Sequence, residues 1–408
     1  MKKSAFVKSF LCIVLCLVLL CGCGGVTPEN KSEPKTTETN HENISVKPED
    51  VTGNFDDAFF KFTEKTQNGN FIISPLSFRF AMGMLISGAE GDTKEGLLNA
   101  CGIADEKEWN EEFSEFIDFA EWFGSRDFRG ADAGLKIANS VWKRNDIKED
   151  FKDDYKKVLK ENYDAEYKEF TRDNAVGLIN DWADEKTEHL IPELLPKGYD
   201  AENLAVVLMN ALYLKDSWMT PFKEKDTQKG EFTTGKGEKT EKDYMNVKDS
   251  FNYYEDDDVK IVVLPLGGRI NMAFVLGDND NISEKLSKCK SERVTVKIPK
   301  FEIETSLNNN ELPDFLNARG AGVAFSDEAD FSEMIDHQIN ISDIIQKAKI
   351  SIDEKGVEAA AVTAIMMKDG IHRINKEYEF IADKPFSFYV YTNYENADYM
   401  MFAGKVVE

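Results

Sequence analysis

The chain has 408 residues, of which 42% are hydrophobic and 31% are charged, as is ordinary for a globular protein with a large apolar core. Its formal net charge is −25, because 75 acidic residues outnumber 50 basic ones. Such an acidic surface argues against binding to nucleic acid and against electrostatic docking on anionic lipid, so we expect no nucleic-acid partner.

The first residues predict an export signal. A lysine-rich start is followed by an apolar run, residues 10–20, that is too short to span a membrane comfortably. The run ends in the letters LCGC, which resemble a bacterial lipobox. We therefore expect residues 1–22 to be a lipoprotein signal peptide that is cut off before Cys23, whose thiol then carries the lipid. The alternative is simple secretion after a small-residue cleavage site.

Residues 23–50 predict a disordered tether that begins at the lipid-modified Cys23. The segment is polar, contains proline and has no apolar periodicity, so it cannot bury a core of its own. This organisation predicts a domain that is exported and lipid-anchored at the bacterial cell surface or extracellular. We expect it to contact the membrane only through the N-terminal lipid.

Two cysteines, Cys101 and Cys289, remain in the part of the chain that is expected to fold. The sequence leaves two alternatives open, a disulfide between them or two separate buried thiols. In either case no disulfide framework holds the fold, so a large hydrophobic core must do so.

Residues 51–408 predict one large α+β domain, because the apolar pattern is dense throughout and shows no repeat and no second linker. Helical spacing of apolar residues predicts helices within residues 53–67, 76–101 and 171–195. Predicted strands are 204–214, 259–266, 271–276, 294–305, 348–353, 386–392 and 399–407. Residues 204–214 are almost wholly apolar, as expected for a strand that is buried on both faces.

The segment 354–364, with the sequence EKGVEAAAVTA, combines a glycine with small and β-branched side chains. As a strand it would place Val357, Ala359, Ala361 and Thr363 on one face, which carries no charge and little volume. Such a segment can be an exposed loop or a strand within a sheet, which indicates a conformational switch. The alternative is an alanine-rich turn of surface helix, because Ala is the best helix former.

Six segments resemble those of the serpin family and occur in the same order and spacing. They are 70–93, 208–227, 294–304, 329–334, 352–364 and 380–393. The resemblance covers essentially all of residues 51–408. It implies a serpin fold, in which a large central β-sheet, further sheets and about eight to nine helices carry an exposed reactive loop.

The resemblance implies an irreversible suicide-substrate inhibitor of serine endopeptidases, with cysteine endopeptidases as a further class of target. A protease cleaves the reactive loop, and the cleaved loop enters the central sheet while the protease is still attached as an acyl-enzyme. Serpin loop insertion is itself an established example of strand addition. The hinge residues implied by the resemblance are Glu354, Gly356, Val357, Glu358, Ala359, Ala360, Ala361 and Thr363.

The scissile bond is not fixed by the sequence. Counting forward from Glu354 by the usual loop length of the family gives Gly370–Ile371, whereas counting back from Phe380 leads to the neighbourhood of Ile374. The candidates for the bond are Met366, Met367, Lys368, Gly370, Ile371 and Arg373. Ile371 suits an elastase-like target, and Met366 or Met367 suits an elastase-like or chymotrypsin-like one. Lys368 or Arg373 would suit a trypsin-like target, and we slightly favour the elastase-like class.

A buried polar cluster is implied beneath the strands that part during insertion. By resemblance its members are Ser74, Ser77, Asn210 and Gln346, the last at a position where many family members have histidine. Buried hydroxyls and amides must be hydrogen-bonded, so they can hold the sheet shut. The alternative for Ser74 is a plain helix N-cap ahead of Pro75, and both roles are compatible.

A second cluster is implied where insertion begins. It consists of Trp218, Thr227, Lys300 and Glu354, with an ion pair between the last two. The alternative for Trp218 is an ordinary core residue, which is the more common fate of a tryptophan.

Other classes of protein fit the sequence less well. It contains no G-x-S-x-G, H-E-x-x-H, P-loop or G-x-G-x-x-G motif, and its four histidines lack a zinc spacing, so we expect no enzyme, no metal site and no cofactor. A non-inhibitory serpin-fold lipoprotein with a binding or structural role would have bulky or charged hinge residues. A transporter's substrate-binding lipoprotein would show repeated βαβ units, whereas here strands dominate the late part of the chain. We expect a monomer.

Overall fold

The computed structural model describes residues 12–23, 47–125, 134–267, 269–308, 310–355, 376–394 and 397–408. In these ranges the chain forms two β-sheets and eight α-helices. None of the described helices is both long and apolar enough to cross a membrane.

Most of the helices precede the main run of strands. They are α1 (Phe55–Thr66), α2 (Pro75–Ile86), α3 (Gly91–Cys101), α4 (Glu106–Gly124), α5 (Asp153–Tyr163), α6 (Ala175–Lys186), α7 (Ile282–Ser287) and α8 (Glu311–Ala318). The region 76–101, predicted as helical, holds two helices that are separated by a turn at Gly88. A β-carbon on Gly88 would lie 2.7 Å from the side chain of Met334, so this turn has room only for glycine.

Fifteen strands lie in the described ranges. They are β1 (Cys12–Cys23), β2 (Phe71–Ile73), β3 (Gly134–Arg144), β4 (Glu166–Phe170), β5 (Leu204–Lys215), β6 (Gln228–Thr233), β7 (Lys239–Glu255), β8 (Val259–Pro265), β9 (Ile270–Gly277), β10 (Lys290–Pro299), β11 (Phe301–Leu307), β12 (Ile339–Ile352), β13 (Glu377–Ile381), β14 (Phe386–Tyr394) and β15 (Ala397–Val406).

The strands form a six-stranded sheet and a nine-stranded sheet. The six-stranded sheet has the order β11-β12-β1-β5-β3-β4. The nine-stranded sheet has the order β13-β10-β7-β8-β9-β14-β15-β2, and β6 pairs with β7. Because β5 lies inside the first sheet with cover on both faces, all but its last residue are buried, which confirms the prediction for 204–214.

The prediction of one continuous strand over 294–305 is wrong. The chain breaks after Pro299, so that β10 belongs to the nine-stranded sheet and β11 to the six-stranded one. Proline has no N–H to continue a ladder, and the next N–H, that of Lys300, donates to the carbonyl of Asp243 at 2.9 Å. Lys300 thus lies at the junction of the two sheets.

The apolar run at the N-terminus forms strand β1 in the centre of the six-stranded sheet. It pairs antiparallel with β12 on one side and with β5 on the other. Its Leu19 is fully buried in the main core. Removal of residues 1–22 during maturation is a separate question and stays a prediction.

The tether predicted for 23–50 lies mostly outside the described residues, which resume at Lys47. Its last part is folded, because Pro48–Val51 form a short 3-10 helix directly ahead of α1. Helix α1 then begins after Asn54, whose side chain accepts a hydrogen bond from the N–H of Asp57.

Candidate functional site

The position between β5 and β12 is the structural centre of the candidate site, and we call it the central slot. Strand β1 fills it from Cys12, which lies opposite Ser351, to Cys23, which lies opposite Ile339. On the other side Cys12 lies opposite Lys215. The occupant therefore runs from the end of β12 back towards its beginning.

A polar cluster lies under the middle of the slot. Asn210 of β5 and Gln346 of β12 both lie opposite Leu17, one on each side of the occupant. Their side chains are buried, as are those of Ser74 and Ser77 at the start of α2. We call these four residues the mid-slot cluster, and they are the four that the sequence comparison with serpins had implied.

Helix α2 ties the two flanks of the slot together through this cluster. The Ser77 hydroxyl donates to the side-chain carbonyl of Asn210. The Gln346 side chain accepts from the Ser74 N–H at 3.2 Å and donates to the Ser74 carbonyl at 3.3 Å. The Ser74 hydroxyl donates to the carbonyl of Met401 in the other sheet. One helix start thus holds β5, β12 and β15 in place.

Ser74 caps helix α2 and also belongs to the buried polar cluster. Its hydroxyl oxygen accepts from the N–H of Ser77 at 3.2 Å, which caps α2, and Pro75 occupies the first helical position. The same hydroxyl also belongs to the network that bridges the sheets.

The network extends to two residues that the sequence did not point out. The Asn210 amide donates to the Asn139 side-chain carbonyl on β3, and the Asn139 amide donates to the carbonyl of Tyr163, each at 2.7 Å. A signal was available, since Asn139 and Ser140 interrupt an otherwise apolar run within β3 and both are buried. The cluster therefore reaches the neighbouring strand and helix α5.

A second cluster anchors the end of β12, just ahead of the hinge. The Glu354 carboxylate accepts from the Thr227 hydroxyl at 2.7 Å and lies 3.3 Å from the Lys300 ammonium. The Trp218 indole N–H donates to the carbonyl of Asp353 at 3.0 Å. We call Trp218, Thr227, Lys300 and Glu354 the hinge-end cluster.

The electrostatics of the hinge-end cluster favour an ionised Glu354. Burial raises its pKa, but the hydrogen bond from Thr227 and the charge of Lys300 outweigh burial, and the net pKa lies below its ordinary value. Burial is the main reason why the pKa of the adjacent Asp353 lies above its ordinary value. Two neighbouring carboxyl groups are thus shifted in opposite directions.

Trp218 is a buried core residue that also hydrogen-bonds the backbone just ahead of the predicted hinge. Its side chain is buried and lies edge-on to Phe222, with ring centroids 5.9 Å apart, so it is a core residue. It also fixes the backbone immediately before the hinge through Asp353, and the N–H of Phe222 donates to the carbonyl of Glu354 at 3.2 Å. Trp218 and Phe222, which pack against each other, thus hold the backbone carbonyls of two successive residues, Asp353 and Glu354.

Most of the predicted hinge lies outside the described residues, which end at Lys355 and resume at Lys376. The undescribed part includes Gly356, Val357, Glu358, Ala359, Ala360, Ala361 and Thr363, together with every scissile-bond candidate from Met366 to Arg373. The described residues on either side of this segment lie at the end of β12 and at the start of β13, which pairs parallel with β10.

Cys101 and Cys289 are free thiols in the structure. Burial raises the pKa of Cys101 to about 12 and that of Cys289 to about 11, so neither thiol is ionised at neutral pH. Across the described ranges, no three His, Cys, Asp or Glu side chains are grouped so that they could hold a metal ion.

Comparison with known proteins identifies the class. The family model described as Serpin (serine protease inhibitor) matches residues 52–408. An uncharacterized serpin-like protein of Methanosarcina mazei is 30% identical, and the match covers 98% of this chain and 97% of the relative. The leukocyte elastase inhibitor of Bos taurus is 29% identical over 86% of this chain and 96% of its own.

The crystal structure of Serpin48 from Tenebrio molitor superposes with a TM-score of 0.69 at 26% identity, covering 86% of this chain and 94% of that one. The chain belongs to the serpin family. The predicted serpin fold and the α+β class are thereby confirmed.

Proposed function

We propose that the protein is an irreversible suicide-substrate inhibitor of serine endopeptidases, which it traps as acyl-enzymes by inserting its cleaved reactive loop into the central slot. The observation that carries this proposal is that the six-stranded sheet holds a segment distant in sequence, β1, between β5 and β12. The sheet can therefore accept an added central strand with complete pairing on both sides.

The direction of the slot suits the reactive loop. The loop starts after Lys355, close to the end of β12, and must fold back on β12 to enter the sheet. It would then run antiparallel to β12, from Ser351 towards Ile339, which is the direction that β1 takes. A cleaved loop that takes the place of β1 would follow the same path between the flanking strands.

The surroundings of the slot match the composition of the hinge. Near the C-terminal end of β12, its buried face presents Ala348, Ile350 and Ile352 to the slot. On the opposite face of the same strand, Lys349 and Ser351 are half-buried. An entering strand thus needs one apolar face and tolerates one polar face. The alternation of Val357, Ala359 and Ala361 with Glu358 meets this requirement.

The free energy available is of the right order. Inserting a strand of about twelve residues forms on the order of ten or more backbone hydrogen bonds, at roughly 1 kcal/mol each net. A gain of this size can displace an attached protease and distort its oxyanion hole. Loss of that stabilisation costs the protease several kcal/mol at the transition state, on the order of 3 kcal/mol per donor, so the acyl-enzyme is no longer hydrolysed.

We propose elastase-like serine proteases as the first class to test, and cysteine endopeptidases as the second. Support comes from Ile371, Met366 and Met367 among the scissile-bond candidates, because these side chains suit an apolar pocket. A relative of comparable similarity is named leukocyte elastase inhibitor.

The test is incubation with a panel of elastase-like, chymotrypsin-like, trypsin-like and cysteine proteases, followed by denaturing gel electrophoresis. We expect a complex that survives SDS, and a released C-terminal peptide whose mass locates the bond. Ala359→Arg should abolish the complex and leave clean cleavage, because its charge would have to be buried in the slot. Ala360→Arg is the matched control, since the neighbouring position points to the opposite face and should retain the complex.

A second measurement addresses metastability. The cleaved protein should melt well above the intact one if its loop has entered the sheet. Clean cleavage by every protease, with no complex and no rise in melting temperature, would assign the chain to the non-inhibitory serpins with a binding or structural role.

We also propose that the protein is a monomer and not an enzyme. We further propose that it is anchored outside the cell by lipid on Cys23. The support is the lipobox-like LCGC sequence and the polar segment that follows it. Metabolic labelling with an alkyne fatty acid should label the native chain, and Cys23→Ser should remove the label. Labelling that persists in this variant would refute the anchor.

A further inference from the structure

The connection between helix α1 and strand β2 contains the only Asn-Gly pair in the sequence, Asn68–Gly69. Both residues lie outside the helices and strands, and Asn68 is exposed. Across the described ranges, no hydrogen bond holds either the Asn68 side chain or the Gly69 N–H. The side-chain amide and the following backbone nitrogen can therefore approach each other without breaking a native contact.

Such a pair can react with itself. The deprotonated Gly69 nitrogen forms a bond to Cγ of Asn68, the bond from Cγ to Nδ2 breaks, and the nitrogen leaves as ammonia with the displaced proton. Water then opens the resulting succinimide at one of its two carbonyls, which yields aspartate or isoaspartate, so water is the only co-reactant. Glycine favours the ring closure because it lacks a β-carbon and adopts a wide range of backbone conformations.

Asn70, two residues further on, provides a contrast within the same connection. Its amide donates to the carbonyl of Glu408 at 3.2 Å, and its side-chain carbonyl accepts from the N–H groups of Val407 and Glu408 at 2.7 and 3.0 Å. The residue that follows it, Phe71, is bulky and belongs to β2. Ring closure at Asn70 would have to break three hydrogen bonds, whereas ring closure at Asn68 breaks none.

Asn139 provides a second contrast, because the residue that follows it is the small Ser140. Asn139 is buried in β3, and its amide donates to the carbonyl of Tyr163 at 2.7 Å. Ser140 is paired with Met209 of β5. The fold thus protects this asparagine although its sequence context is favourable.

The connection that contains Asn68 is short, and both of its ends are fixed. At one end the N–H of Gln67 donates to the carbonyl of Thr63 at 2.8 Å and closes α1. At the other end Asn70 holds the C-terminal residues of the chain. Only residues 68 and 69 lie between these ends, so a change in backbone length must be taken up by one of them.

Strand β2, which follows directly, joins the two sheets. Phe71 pairs with Lys405 of β15 in the nine-stranded sheet, and the N–H of Ile72 donates to the Thr305 hydroxyl oxygen of β11 at 2.9 Å. Ser74 of the mid-slot cluster comes immediately after β2. A displacement at the start of β2 therefore acts on the junction between the sheets.

We propose that Asn68 is a site of spontaneous deamidation, and that its conversion to isoaspartate weakens the attachment of β2 at the junction of the two sheets. Isoaspartate routes the backbone through the former side chain and so adds one carbon atom to the chain between the two fixed ends. This inference goes beyond the proposed function, and its test needs no protease.

The experiment incubates the full chain at neutral and at mildly alkaline pH. Peptide mass spectrometry follows the loss of ammonia at Asn68, Asn70 and Asn139, and an isoaspartyl methyltransferase with a labelled methyl donor detects isoaspartate. We expect conversion at Asn68 alone, faster at the higher pH because the attacking nitrogen must be deprotonated. Asn68→Ala should remove the label. Conversion at Asn70 as fast as at Asn68, or label that persists in Asn68→Ala, would overturn the proposal.

Gly69→Ala is the matched variant. A β-carbon on Gly69 would meet no atom closer than Oε1 of Glu408, at 3.7 Å, so the variant fits the fold. It should slow conversion at Asn68 by roughly tenfold, which corresponds to about 1.4 kcal/mol in the barrier. Unfolding in urea should speed conversion at Asn139 and leave the rate at Asn68 nearly unchanged. A strong acceleration at Asn68 would mean that the fold protects it, contrary to the proposal.

The structural arm compares the melting temperatures of the fresh chain, the converted chain and Asn68→Asp. The last variant carries the new negative charge without the added backbone atom. The converted chain should melt roughly 2 °C below the fresh one, and Asn68→Asp should melt with the fresh chain. No shift on conversion would refute the weakened attachment. An equal shift in Asn68→Asp would refute it as well, because the charge alone would then be the cause.

Discussion

The mid-slot cluster and the hinge-end cluster hold the same slot by different chemistry. Ser74, Ser77, Asn210 and Gln346 form neutral hydrogen bonds and contain no titratable group. At the hinge end, the Glu354 carboxylate is paired with Lys300, whose side chain is 37% exposed. Neutral buried bonds respond little to pH or salt, whereas a partly exposed ion pair responds to both. The stability of the middle of the slot should thus depend little on pH and salt, whereas that of its end should depend on both.

The largest effect should come from the aromatic support of the hinge end. Trp218→Ala removes a buried ring and the donor to Asp353, and should lower the free energy of unfolding by about 3–5 kcal/mol. Trp122→Ala, at a half-buried ring on α4, is the control and should cost about 1 kcal/mol. Urea unfolding of the two variants measures the difference. Equal losses would mean that Trp218 has no special place in the structure.

The mid-slot cluster should be next in magnitude. Asn210→Ala leaves the Ser77 hydroxyl and the Asn139 carbonyl without partners in a buried site, and we expect a loss of about 2–3 kcal/mol. Asn162→Ala, which removes one half-buried bond to Val158, should cost less than about 1 kcal/mol. The same urea titrations measure both variants. A loss of unfolding free energy at position 210 no greater than that at 162 would contradict a stabilising role for the mid-slot cluster.

Introducing a titratable group should make the stability of the neutral mid-slot cluster dependent on pH. In Gln346→His the buried imidazole resists protonation, so its pKa in the folded state should lie below that in the unfolded state. The unfolded chain then binds more protons at acid pH, and stability should fall as pH decreases below about 6.5. We expect a loss of about 1–2 kcal/mol between pH 7.5 and 5 relative to the native chain. Parallel pH profiles of the two proteins would contradict this.

The smallest effect should come from the ion pair. The folded-state pKa of Glu354 is lowered, so its contribution is present at neutral pH and is lost as pH falls through that pKa. Glu354→Gln should lower the free energy of unfolding by only about 1 kcal/mol at pH 7, because the partly exposed Lys300 weakens the ion pair that is lost. The difference from the native chain should shrink below about pH 4. The raised pKa of Asp353 acts in the opposite direction. Its main cause, burial, is common to both proteins, whereas the contribution of the Glu354 charge is lost in Glu354→Gln, which makes the net loss of stability smaller.

Most of the fold could be predicted from residues whose role is local. The apolar run of β5 and the Ser-Pro start of α2 indicated their structures directly. Helix α4 could also have been found, because Trp109, Phe113, Phe116, Ala120 and Phe123 recur at helical spacing. Strand β7 could not, since its sequence is largely polar and its exposed residues obscure the alternation.

For the candidate site, the residues could be predicted, but the contacts between them could not. Its eight residues were found through the order of family segments, but the bonds between them depend on contacts such as that of Ser74 with Gln346, 272 residues apart. Local patterns carry no information about such pairings. The apolar run at the N-terminus predicted a targeting segment, and nothing in its periodicity indicated the partners Ile344 and Leu208.

The orientation of the two strands that flank β1 has an energetic consequence. Because β5 and β12 are each antiparallel to β1, they point in the same direction as each other. Without a filler they can meet only as a parallel pair, whose slanted hydrogen bonds are somewhat weaker per residue. Any filler that runs in the direction of β1 replaces this one ladder with two antiparallel ladders. The preference for a full sheet is therefore a property of the topology itself, before any side chain of the filler is considered.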